Sequence, residues 1–167
     1  MGVLIVESDF SGKFFVNQDT YNLAKLTAMI ADKEEDYLSE LLGVDLYALF
    51  KANLTAKVPT SAIYLTIYNA FKNDYNGGIV SSKGMKDMVL GFIYFEYMRS
   101  VPYKNTSMGA VINQPDLSDS AANSFMGLYK YYNESVNIFN NIQWKIQQNS
   151  SDYPLFNGIR KEITHFF

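Results

Sequence analysis

Apolar side chains return every three or four positions over most of the chain, the period of an α-helix that buries one face. After the cap-type residues Asp19 and Thr20, the positions Leu23, Leu26, Thr27, Ile30, Tyr37, Leu38 and Leu41 keep that step. The charged run Asp32-Lys33-Glu34-Glu35-Asp36 interrupts the stripe, so the pattern predicts either one helix or two short ones. Gly43 is placed to stop it, because glycine accepts the left-handed backbone that closes helices. Asp45 is positioned to cap a further stretch with Leu46, Leu49, Phe50 and Leu54 on one side. Pro59-Thr60-Ser61 makes the next break, and Ile63, Ile67, Ala70 and Phe71 predict another helix that Asn76-Gly77-Gly78 ends.

The stretch from Met85 to Ser100 differs in kind. Its apolar groups cover most of the circumference, which predicts a helix enclosed by others at the centre of a bundle. Val101 to Leu117 then has no helical period, two prolines and an extended-looking Met108-Gly109-Ala110-Val111-Ile112. Loops this long without structure of their own are uncommon and tend to be functional. From Ser118 or Asp119 to about Gln148, Phe125, Tyr129, Tyr132, Val136, Phe139, Ile142 and Ile146 mark the longest helix. It would reach about 45 Å. Met126 and Trp144 lie about a quarter turn from that stripe, among Asn133, Asn137 and Asn140. The pattern as a whole predicts an all-α single domain. A bundle of about five helices fills 20–149, and extended arms occupy 1–19 and 150–167.

Composition narrows the function classes. A chain of 167 residues with 48% hydrophobic and 16% aromatic content can build one self-sufficient core, which excludes disorder. The net charge of −3 and pI near 5.1 count against a nucleic-acid binder, which needs a basic field. They do not exclude a protein that DNA must pass without sticking. The absence of cysteine removes disulfides, thiolate metal sites and cysteine nucleophiles. The apolar run Val3 to Val6 is too short for a signal h-region or a membrane span, so a soluble protein used without export is expected.

The chemistry-bearing residues form no constellation. The single histidine, His165, lies at the end of the tail, a poor platform for a positioned base. Glu34-Glu35-Asp36 are adjacent and therefore point in different directions, which reads as a solvated face or as acids near a helix start. Gly77-Gly78 and Ser82-Lys83-Gly84 lack the order of a phosphate loop and read as turns. Glu96 and Arg99, three apart, form a local ion pair in this reading. No metal or cofactor is expected. Met126, Trp144, Phe166 and Phe167 are either further core or, if exposed, the aromatic set of an interaction site.

Three segments resemble the tailed-bacteriophage head–tail connector proteins, the adaptors that form a ring beneath the portal. One is Asp36-Tyr37-Leu38-Ser39-Glu40-Leu41-Leu42-Gly43-Val44-Asp45-Leu46-Tyr47, a Tyr-Leu helix ending in Leu-Gly before an acidic-Leu-Tyr helix. The second is Met88 to Arg99 followed by the Thr106-to-Val111 element (Thr-x-x-Gly-x-Val). The third is the Tyr-rich last helix with Tyr153-Pro154 and Phe156-Asn157-Gly158. In order and spacing they cover about Asp9 to Phe167.

The resemblance implies a small helical bundle that assembles as a dodecamer between portal and tail or further connector proteins. DNA would pass through the lumen without specific binding, and the family has no catalytic residues to transfer. A structural virion protein at the head–tail interface is therefore expected. The candidate interface is Thr106, Met108, Val111, Ile112, Met126, Trp144, Phe166 and Phe167. Two alternatives are a phage-type cell-wall hydrolase, which needs a positioned carboxylate pair, and an assembly chaperone or scaffold that leaves the particle.

Overall fold

The computed structural model describes residues 2–17, 19–100, 103–106, 109–112 and 118–163; for Tyr21 and for the elements between 103 and 126 it describes the backbone alone. Its five helices are α1 (Thr20–Leu42), α2 (Val44–Ala52), α3 (Ala62–Tyr68), α4 (Met85–Ser100) and α5 (Ser118–Gln148). Three two-stranded antiparallel ladders accompany them: β1 (Leu54–Thr55) with β2 (Val58–Pro59), β3 (Phe71–Tyr75) with β4 (Gly78–Ser82), and β5 (Tyr103–Thr106) with β6 (Gly109–Ile112). The chain is thus mostly helical but not all-α.

α4 is the centre, as its uniform apolar surface requires. Met88, Val89, Phe92 and Ile93 are fully buried. Tyr37 of α1 stacks on the Phe92 ring at 4.5 Å, and Phe139 and Tyr132 of α5 meet the same ring edge-on. Phe95 against Tyr129 and Gly91 against Ser135 set an antiparallel register between α4 and α5. Gly91 lets them approach closely with Ser135 in its present rotamer, because a Cβ there would overlap Ser135 Oγ.

α1 is one continuous helix through its charged run. Asp19 caps it by accepting from the Asn22 N–H at 2.9 Å. Gly43, at φ +81°, ends α1 and also stands immediately before α2 in place of the expected Asp45, which lies in the first turn of α2. A Cβ on Gly43 would fall 2.8 Å from the Asn157 backbone.

The expected helix through Phe71 stops at Tyr68. Asn76 and Gly77, at φ 46° and 78°, supply the two positive values of a tight hairpin turn, and this local chemistry pairs Phe71 with Ser82 and Tyr75 with Gly78. The stretch 101–117 likewise contains a hairpin, with Tyr103 opposite Ile112 and Thr106 opposite Gly109.

The expected N-terminal arm is part of the core. Two 3₁₀ turns, Glu7–Asp9 and Gly12–Phe14, fold it back, and Leu4, Ile5, Phe10, Phe14 and Val16 are buried. Glu34 holds it there, so the solvated-face reading of that charged run does not apply to this residue. Its carboxylate is buried and accepts from three consecutive amides, those of Val3, Leu4 and Ile5. Lys57, in the β1–β2 turn at φ 69°, donates to the Gly2 and Ile5 carbonyls. Glu35, one residue on, is half exposed and pairs with Lys51 and Tyr47.

Burial of the Glu34 carboxyl outweighs its amide donors and Lys57 and raises its pKa above 4.5. Glu34→Ala, which orphans two buried N–H groups and one half-buried one, is expected to cost about 3 kcal/mol in urea unfolding at pH 7. Because the folded-state pKa is raised, protonation favours the folded chain. The advantage of wild type over Glu34→Gln should therefore be largest below about pH 4 and shrink as pH rises through the folded pKa.

Candidate interaction interface

The sequence-predicted interface residues divide into three groups in the structure. Thr106 ends β5, and Val111 and Ile112 lie in β6, so three of them share one hairpin. Met126 lies on α5. Met108, Phe166 and Phe167 fall outside the described residues, as does His165. Trp144 stands apart, near the opposite end of α5.

Continuing the α4–α5 register from the Phe95–Tyr129 pair brings Ser100, the last residue of α4, level with about residue 125 of α5. About two turns of α5, from Ser118, therefore extend past the end of α4. The β5–β6 hairpin is the connection at that same end. Among the described residues no third strand joins it, leaving both of its edges unpaired. A lone two-stranded hairpin is marginal in water and gains stability from an added strand or a packed surface.

Trp144 has an intramolecular partner. Its ring is half-buried and meets the Tyr75 ring edge-on at 5.1 Å, where the β3–β4 hairpin lies along the last turns of α5. Asn141 Nδ2 donates to the Ser81 carbonyl at 2.7 Å, and Lys145 Nζ sits 4.0 Å from the centre of the Phe71 ring. Burial there lowers the Lys145 pKa. The quarter-turn offset of Trp144 from the core stripe is thus explained by a second, smaller packing surface.

The expected C-terminal arm also lies on its own subunit as far as it is described. Tyr153 is buried, and its hydroxyl donates to the Ile63 carbonyl at 2.8 Å. Asn157 and Ile159 then donate to the carbonyls of Leu42 and Glu40, at the end of α1. Gln143 of α5 bridges the Leu41 and Ile159 carbonyls, and Asn140 both donates to and accepts from the Lys161 backbone. Gly158 is required here, since a Cβ would lie 2.1 Å from the Leu41 oxygen. Sequence reasoning missed this strap. Its one available signal was Gln143, a polar residue beside Ile142 in the core stripe.

Beneath the strap, burial pushes the Tyr37 phenol up, with the Glu96 carboxylate beside it adding to the shift. Among the described residues no group of three or more acidic or histidine side chains could hold a metal ion, and no helix is long and apolar enough to cross a membrane. No family model, curated protein or solved structure matches the chain.

If Trp144 belongs to the hairpin contact, a double-mutant cycle of Trp144→Ala with Tyr75→Ala should give a coupling of about 0.5–1.5 kcal/mol. Amide exchange in α4 should show its core intact in all three variants.

Proposed function

We propose that this protein is a ring-forming subunit of a phage head–tail connector, standing between portal and tail around the path of the DNA. The observation that carries the reading is the overhang: two turns of α5 and a hairpin whose edges are unpaired among the described residues, reaching past the end of α4. Extended elements of this kind join subunits by adding a strand or docking on a neighbour, and head-to-tail contacts of one kind close into a ring. Segments similar to connector proteins run through α1–α2, through α4 into this hairpin, and through α5 into the strap.

The acidic balance fits the role, because a basic lumen would hold the phosphates of moving DNA. In this reading the role is mechanical and uses no catalytic group. The described parts of both arms are engaged within the subunit, so the overhang and the exposed apolar side chains carry the contacts between copies.

Deleting residues 108–112 tests the proposal. The variant should keep its helical circular dichroism, yet form no rings when mixed with portal protein under the electron microscope, where wild type does. Rings from the variant, or clearing of peptidoglycan by the wild type, would overturn it. Mass spectrometry of purified virions separates a resident connector from an assembly chaperone that departs.

A further inference from the structure

Part of the strap turns apolar side chains to solvent and one cation inward. Ile159 is 69% exposed, and Leu155 and Ile163 also face solvent. Of the strap's two cations Arg160 is exposed, whereas Lys161 turns inward with only 18% of its side chain exposed. Its Nζ lies 5.1 Å from the centre of the Tyr37 ring, 5.6 Å from Phe92 and 5.5 Å from Phe139. Three ring systems from α1, α4 and α5 thus surround one ammonium at cation–π distance. Glu40 completes the slot as its ion-pair partner. A cavity of about 390 Å³ opens beside it, with Asp36, Glu40 and Glu96 giving its wall an excess of negative charge over Lys33 and Lys161.

Little else inside this part of the strap is apolar. The segment from 157 to 161 is held by backbone bonds to Leu42, Glu40, Gln143 and Asn140, each open to exchange with water once the segment lifts. Hydrophobic anchoring stops just before this segment, at buried Tyr153 and half-buried Phe156, and its own apolar side chain, Ile159, faces solvent. The charge in the slot is therefore the one interaction here that water reproduces poorly, because Phe92 and Phe139 are fully buried.

We propose that this slot is an alkylammonium-binding site filled in cis by Lys161, and that residues 157–163 form a latch held by that charge. Release of the latch bares the ring faces of Tyr37, Phe92 and Phe139 to another primary amine. The inference stands on the intramolecular geometry and is independent of the connector reading.

Hydrogen exchange of the amides at 159 and 161 in the full chain reads the latch directly. Lys161→Arg should keep their protection within about threefold, whereas Lys161→Met, unbranched, one atom shorter and neutral, should lose about tenfold or more. Amides of α4 and α5 should be unchanged in both. In Lys161→Ala, n-butylammonium chloride should restore protection at residue 159, and n-butanol at the same concentration should not. Full protection in Lys161→Met would overturn the proposal, since the aliphatic stem would then suffice. Equal rescue by butanol, or strap and α4 amides exchanging together, would overturn it as well.

Discussion

A helix with no polar side has to be covered all round, and that single requirement organises this protein. α4 buries residues around its whole circumference, so one or two neighbours cannot satisfy it. α1 covers it with Tyr37, α5 with Tyr132, Ser135 and Phe139, and the N-terminal turns with Phe14, whose ring meets Tyr94 at 5.7 Å. The strap closes the remaining gap with a lysine. Segments that read as loose arms in isolation are recruited because the central helix leaves nothing else to shield it. Dispersion and hydrophobic burial set this demand, and directional polar contacts decide which piece answers it.

Those polar contacts are few and placed at the ends of segments. Glu34 gathers three amides, Gln143 bridges two carbonyls, and Asn140 pairs with one residue's backbone in both directions. Each satisfies backbone groups that regular structure leaves without partners, in segments that are neither helix nor sheet or, at Leu41, in the last turn of α1. Removing such a side chain strands several groups at once, so its structural weight exceeds that of an ordinary surface pair.

The helices were largely legible in the sequence, because period and punctuation are local properties. Met85–Ser100 and Ser118–Gln148 follow directly from the run of apolar positions, and Gly43 marks the α1–α2 joint. The β3–β4 hairpin is signalled by Asn76-Gly77, but the helical spacing of Ile63, Ile67, Ala70 and Phe71 runs on past Tyr68, where α3 ends, and masks it. The N-terminal core was not legible, since Val3 to Val6 is short and its partner, Glu34, sits inside a charged run. Nothing local distinguishes Glu34 from Glu35, whose carboxylate meets Lys51 at the surface. Of the candidate interface, Thr106, Val111 and Ile112 lie in one hairpin, whereas the helix phase of Trp144 gives no sign of its hairpin partner Tyr75.

Both chain ends are tied to the same helix. Residues 3–5 fasten at Glu34, and residues 157–159 fasten at Glu40 and Leu42, about two turns further along α1. The two fastenings stand roughly 12 Å apart on one rod, so tension between them loads α1 along its axis. Gln143 and Asn140 pass part of a pull on the strap to α5, and Lys57 passes part of a pull on residues 2–5 to the β1–β2 turn.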